Sequence, residues 1–200
     1  MDDMHIVLAS ASPRRKELLL QIGIRPEVKA SFADEETVSD IPWEVVMELA
    51  EKKAGQVAEN EAPKTIVIGS DTVVSAEGRI LGKPKSHEDA RQMIESLAGR
   101  THQVYTGVCL VRRGRTEAEE KKVVFYDKTD VEVSPMTPEE IREYAFSEEP
   151  MDKAGAYAIQ GFFARYIKGI QGSYANVMGL PVSRVYEELK KWRQEEERHD

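Results

Sequence analysis

The first regular pattern is a short apolar run at residues 6–9, which breaks into small and polar residues and resumes at helical spacing over 14–22. A buried strand followed by a helix fits that change of period, and Gly23 is a natural residue on which to end the helix. A second short strand is predicted near 27–29, leading into the acidic loop Asp34-Glu35-Glu36. From Asp40 onward, Trp43, Val46, Met47, Ala50, Ala54 and Val57 recur at three and four positions, which predicts an amphipathic helix of about four turns.

Residues 65–68 are continuous and β-branched, as in a central strand, and run into Gly69-Ser70-Asp71-Thr72-Val73-Val74. This places Asp71 at the C-terminal end of that strand. Residues 76–79 read as a turn and 81–84 as a loop. A helix is predicted over 86–97, with Ser86 and Asp89 as a capping box and Gly99 as its stop. Residues 104–111 and 123–133 are long β-type runs, and the charged segment between them reads as a hairpin connection. Thr137-Pro138-Glu139-Glu140 opens another helix. Over 149–181 glycine is frequent and periodicity weak, with short β-like pieces at 156–159 and 164–167. A terminal helix is predicted over 182–192, and 193–200 reads as a charged, disordered tail. Strands and helices alternate early and β runs dominate later. The expected class is α/β, a mixed twisted sheet with flanking helices, as one domain over 1–192.

Charge narrows the range of partners. The 200 residues carry 28 Lys and Arg against 36 Asp and Glu, a net charge of -8, so general attraction to nucleic acid polymers or anionic membranes is not expected. A bound polyanion would need a local basic cluster. The single cysteine, Cys109, stands in an apolar run and reads as a buried small side chain in a reducing compartment. No charged-then-apolar leader precedes the first strand and no apolar run approaches membrane-spanning length, which leads us to expect a soluble, cytoplasmic protein.

Ser12 and Pro13 suit the N-cap and first position of a helix, so unpaired backbone N–H groups and the positive end of the helix dipole would face the same space as Arg14 and Arg15. That combination suits phosphate, although a capped helix with solvated arginines would have the same sequence. In open α/β sheets ligands gather at the C-terminal ends of strands, where Asp71 could hold a metal or take a proton from water. The plainer reading is a loop aspartate bonded to its own backbone. Val73 stands where a haloacid-dehalogenase-type site would want a second aspartate, and no P-loop pattern occurs. A carboxylate from Asp34, Glu35 or Glu36 could meet Asp71 to complete a Mg²⁺ site. The four histidines, His5, His87, His102 and His199, show no close ligand spacing, so a softer metal is not expected. Further candidate cations are Lys53, Lys83 and Lys153, each near a turn, a helix end or a glycine-rich stretch. In the run from Asp152 to Gly161, small residues would let a backbone approach a ligand, and Gln160 offers the donor and acceptor that a base edge requires. The run from Gly172 to Pro181 is similar, and both also fit tight turns.

Several of these segments, in order, resemble the Maf family of nucleoside triphosphate pyrophosphatases: Ala9-Ser10-Ala11-Ser12-Pro13-Arg14-Arg15, the Gly69 to Val74 segment, Lys83-Pro84, Gly99-Arg100-Thr101-His102, then Glu149-Pro150 through Gly161 and Gly172 through Pro181. The resemblance implies a fold related to the inosine triphosphate pyrophosphatase group, with two lobes around a cleft, and a homodimer. It implies hydrolysis of a nucleoside triphosphate to the monophosphate and pyrophosphate with a divalent cation, Mg²⁺ or else Mn²⁺. By the same resemblance Asp71 is the proton acceptor and Glu35 its acidic partner, both also metal ligands, while Ser10, Arg14, Arg15, Lys53 and Lys83 bind substrate. The choice of Glu35 over Asp34 and Glu36 depends on the loop alignment. Arg14, Thr72 and Gln160 look like the specificity residues of the dTTP/UTP-cleaving branch, with modified pyrimidine nucleotides as further substrates. The rival function is a nucleotide-binding regulator of cell division and septum formation with little hydrolysis; a purine-directed pyrophosphatase is a nearer one. Phe162-Phe163 departs from the pattern, standing where the family has small residues.

Overall fold

The computed structural model describes residues 4–198. In chain order its elements are β1 (Ile6–Leu8), α1 (Pro13–Gln21), β2 (Glu27–Val28), α2 (Pro42–Ala58), β3 (Ile66–Ala76), β4 (Arg79–Leu81), α3 (His87–Leu97), β5 (Thr101–Arg112), β6 (Lys121–Val133), α4 (Pro138–Ala145), β7 (Ile167–Gln171), α5 (Tyr174–Val177) and α6 (Val182–Glu197). Seven strands form one sheet in the order β2-β1-β3-β5-β6-β7, with β4 added to β3. β1 runs parallel to both neighbours and every other pairing is antiparallel, so the sheet is mixed, as expected.

Period-two alternation along the central strands divides the core. Ile66, Ile68, Val74, Val108 and Leu110 face one side, where they pack with Leu18 of α1, Ile94 of α3, Ile141 of α4 and Leu189 of α6. Val67, Cys109 and Val111 face the other side, against Ala50, Ala54 and Val57 of α2, and Val73 continues that face against Val46 and Leu49. Two glycines explain how closely α2 lies on the sheet. A Cβ on Gly69 would stand 2.3 Å from the Ala50 carbonyl oxygen, and one on Gly107 would stand 2.1 Å from that of Val46. The helix backbone therefore rests directly on β3 and β5.

Local signals behaved unevenly. Gly23 closes α1 as expected: its N–H reaches the Leu20 carbonyl and the Ile24 N–H reaches Leu19, both turning over a residue at φ +78°. Thr137 and Glu140 form a complete capping box on α4. At α3 the box is half made. Ser86 accepts from the Asp89 N–H, but the Asp89 carboxylate reaches the Lys85 N–H instead. Ser12 occupies the N-cap of α1 without any side-chain capping bond, and its own N–H donates to Ser10 Oγ at 3.2 Å.

Three expectations are corrected. β3 does not stop before Gly69 but continues to Ala76, because β5 pairs with it in unbroken register from Ile66 to Ser75. The β-like piece at 156–159 is not a strand, and of the second piece only Ile167 pairs, since Ala154–Ala156 and Phe162–Tyr166 are 3-10 turns. Two features interrupt the chain: Gly155 and Ala156 turn at φ +67° and +60°, and between the two pieces the Glu149 carboxylate accepts from the Phe162 and Phe163 N–H groups at 2.8 and 3.3 Å. Finally, the terminal helix does not end at Trp192 but runs to Glu197, with Arg193 and Glu197 paired one turn apart at 2.9 Å. His199 and Asp200, the end of the expected tail, lie outside the described residues.

Candidate active site

The site is built around an incomplete edge of β3. β1 pairs with β3 only up to Ile68, and β4 begins pairing at Val74. Residues 69–73 therefore have a strand neighbour on one side only, β5. Alternation turns Asp71 toward α2, and Ser70 and Thr72 toward the opposite face. Asp71 is held in the ladder opposite Gly107, so it is neither at a strand end nor in a self-bonded loop.

On the α2 side, Lys53 Nζ donates to Asp71 Oδ1 at 2.6 Å and lies 2.8 Å from Glu35 Oε1. Lys53 lies inside α2, three residues after Ala50 on the inward face. Because Gly69 admits the Ala50 backbone, the next turn of the helix delivers Lys53 to Asp71. Both of their side chains are largely buried, at 13% and 14% exposure, while Glu35 is 70% exposed. The acidic loop separates its three carboxylates: Glu35 turns inward, Asp34 accepts from the Glu36 N–H in its own turn, and the Glu36 carbonyl accepts from Lys52. Hydrogen bonding and charge from Lys53 hold the Glu35 carboxyl below its ordinary range, and the charges of Lys83 and Arg15 add to this. Lys83 is exposed and reaches the centre by charge alone.

On the opposite face Arg15 is anchored through its whole fork. Nε donates to the Gly179 carbonyl at 2.9 Å, Nη1 to Ser10 Oγ at 3.0 Å and Nη2 to Thr72 Oγ1 at 3.3 Å. Ser70 Oγ donates to the same Gly179 carbonyl at 3.0 Å. Burial lowers the Arg15 pKa, and the neighbouring Asp71 charge opposes that shift. Arg14 forms no hydrogen bond among the described residues, and its charge acts on Asp152. The two expected phosphate arginines thus differ: Arg15 is a fixed fork, Arg14 a free cation.

Gln160 is exposed and, among the described residues, is joined to neither Thr72 nor Arg14. Its segment is fastened around it. The Gly155 N–H donates to the Gly82 carbonyl at 3.0 Å, next to Lys83, and Tyr157 OH bonds His102 Nε2 at 2.7 Å. Lys153 pairs with its neighbour Asp152. Phe163 is buried and Phe162 lies under Arg165, whose guanidinium carbon is 3.3 Å from the ring centre, so the bulky pair serves packing here. His5, His87 and His102 make ordinary hydrogen bonds, and among the described residues no three His, Cys, Asp or Glu side chains converge as a metal site. The Cys109 thiol is buried and pushed up to about 12. Among the described residues no helix is long and apolar enough to cross a membrane.

Sequence reading missed Gly107, Thr106 and the packing role of Gly69. A lysine on the inward stripe of an otherwise apolar helix face, Lys53 between Ala50 and Ala54, was a signal that could have been used.

A family model described as Maf-like protein matches residues 5–192. A dTTP/UTP pyrophosphatase of Agathobacter rectalis is 52% identical over an alignment covering 93% of this chain and 96% of that one. The dTTP/UTP pyrophosphatase of Lachnoclostridium phytofermentans is 48% identical, covering 94% of both chains, and that of Bacillus cereus is 47% identical over 94% and 95%. With the motifs, the mixed sheet and relatives of this likeness matched nearly end to end, the chain belongs to the Maf family.

Proposed function

We propose that this chain is a pyrophosphatase that hydrolyses dTTP and UTP to the monophosphate and pyrophosphate. The observation that carries the reading is the Lys53 ammonium held between Asp71 and Glu35 beside the anchored Arg15 fork, on a chain about half identical to relatives named for that activity. Cleavage at the α-phosphorus needs a water in line, a base beside it and positive charge on the departing pyrophosphate. Asp71 takes the proton of the attacking water, with Glu35 as its acidic partner. Three of the five N–H donors of Arg15 are used inside the protein, so the remaining two meet phosphate from a fixed position. Arg14, Lys53 and Lys83 supply the other positive charges. Ser10 Oγ accepts from both Ser12 and Arg15, which leaves its own proton for a phosphate oxygen. Thr72 and Gln160 read the pyrimidine, and modified pyrimidine nucleotides fall within the same reading.

Asp71 and Glu35 are oxygen donors that already converge on one cationic nitrogen, within 2.6 and 2.8 Å. That donor set fits Mg²⁺ or Mn²⁺, with the remaining ligands drawn from phosphate and water. When bound, such an ion would neutralise charge on the phosphate oxygens.

The lone buried Cys109 suits a cytoplasmic setting, and the family resemblance supports a homodimer, which light scattering after gel filtration would test. The deciding experiment is product analysis with a panel of nucleoside triphosphates and Mg²⁺. Monophosphate and pyrophosphate from dTTP and UTP are expected. Tight binding of triphosphate without turnover would favour the cell-division regulator instead, and preferred cleavage of purine nucleotides would overturn the pyrimidine assignment.

A further inference from the structure

Behind Thr72 lies a chain of hydrogen bonds whose direction can be derived. Thr106 Oγ1 is 2.9 Å from the Asn176 carbonyl oxygen and 2.9 Å from Thr72 Oγ1. Thr106 and Asn176 are fully buried, at 0% exposure, so no bulk water can intervene. A carbonyl only accepts, so the single Thr106 proton must go to Asn176; otherwise two oxygens would face each other lone pair to lone pair in a dry site. Thr72 must then donate its own proton to Thr106. On its other side Thr72 accepts from Arg15 Nη2 at 3.3 Å. The bonds run one way, from Arg15 through Thr72 and Thr106 to Asn176.

The end of this chain is firmly held. Asn176 Nδ2 donates to the Val104 carbonyl at 3.1 Å and to Thr129 Oγ1 at 2.9 Å, and the Gly179 N–H donates to the Asn176 carbonyl at 2.9 Å. The Asn176 carbonyl therefore cannot turn away from Thr106.

Thr72 is half-buried at the open edge of β3. With its proton committed inward, it offers a ligand a lone pair and nothing else. A lone pair attracts an N–H and repels another acceptor. Uracil and thymine carry an N–H at N3, whereas cytosine has a bare acceptor at that atom. We propose that Thr106 is a specificity-determining positioning residue: by holding the Thr72 proton, it obliges Thr72 to accept from the N3–H of uracil or thymine and to disfavour cytosine. This rests on the reading above in which Thr72 lines the base pocket.

The test compares kcat and KM for UTP and CTP in the wild type, Thr106→Val and Thr106→Ser. Valine cannot accept the Thr72 proton, so Thr72 becomes free to donate as well as accept. The UTP-over-CTP selectivity in kcat/KM should fall about tenfold, mainly through KM, while the serine variant keeps the wild-type ratio. An unchanged ratio in the valine variant, including an equal loss on both substrates, overturns the inference. Should the valine variant fail to fold, the wild type with N3-methyl-UTP provides an independent arm: discrimination comparable to that against CTP is expected, and handling equal to UTP overturns the inference. A wild type that forms no monophosphate from UTP would instead overturn the proposed function.

Discussion

Lys53 reaches Asp71, at 2.6 Å, from a helix that can lie so close to β3 only because Gly69 has no side chain. The pair is largely dry, with 13% and 14% side-chain exposure, so each partner depends on the other for charge compensation. Glu35 joins from solvent and completes a carboxylate-ammonium-carboxylate row.

Asp71→Asn keeps the size of the side chain and an acceptor for Lys53 but removes the proton-accepting carboxylate. Turnover of dTTP should drop by about 10²- to 10⁴-fold with the fold and nucleotide affinity retained, while the melting temperature falls because the largely buried Lys53 keeps only the exposed Glu35 as counter-charge. Steady-state kinetics beside calorimetric binding would check this, and a near-normal kcat would refute the assignment of Asp71 as base.

Two glycine-to-alanine changes should act in opposite directions. At Gly69 the new Cβ would meet the Ala50 carbonyl at 2.3 Å, so α2 must lift and Lys53 must withdraw. A loss of about 1–3 kcal/mol is expected, accompanied by loss of activity. Gly55 lies in the interior of α2 and a Cβ there meets nothing within 4 Å, so Gly55→Ala should stabilise by about 0.5–1 kcal/mol with activity intact. Urea denaturation of both variants provides the measurement.

The two arginines should separate binding from structure. Arg14→Ala should raise KM with little change in stability, because Arg14 makes no hydrogen bond among the described residues. Arg15→Ala should lower both kcat/KM and stability, since the carbonyl of Gly179 and the hydroxyls of Ser10 and Thr72 lose a common donor. Arg15→Lys should rescue poorly, because a single ammonium cannot reproduce the three-way fork. Rescue of both properties by lysine would show that charge alone matters at this position.

Acid should destabilise the fold through His102. Burial lowers its pKa from 6.5 to about 4, so between those values the unfolded chain binds a proton that the folded chain refuses. Stability therefore falls as pH drops through that window, by on the order of 3 kcal/mol, and this contribution levels off below it. Glu35 has a depressed pKa, and its contribution is lost only at lower pH, as acid protonates the carboxylate. His102→Gln can still bond Tyr157 and cannot titrate, so the stability difference between pH 7 and pH 5 should shrink relative to the wild type in chemical denaturation.

Much of the architecture was legible because it is local. The switch from strand to helix after Ala9, the glycine stop at Gly23, the capping box at Thr137 and the hairpin of β5 and β6 all follow from periods and end signals within a few residues. The error at 156–159 arose where the backbone turns at Gly155 and Ala156, both at positive φ, which the β-like residue types that follow do not reveal. The tail was misread because a run of charges suits an exposed helix as well as a coil, and only packing around the buried Trp192 decides between them.

The sequence by itself determined the residue types at the site: a carboxylate after a β-branched run, paired arginines at a helix start, an acidic loop and a family pattern that orders them. Tertiary structure decided which of them meet. It chose Glu35 over Asp34 and Glu36 through the turn of one loop, brought Lys53 onto Asp71 through the close approach at Gly69, and divided Arg14 from Arg15 by giving only one of them three anchors. The Thr72 proton also took its direction from Thr106 and Asn176, which are 34 and 104 positions away in the chain. Contacts between residues so far apart depend on sheet register and helix packing, and no local period encodes them.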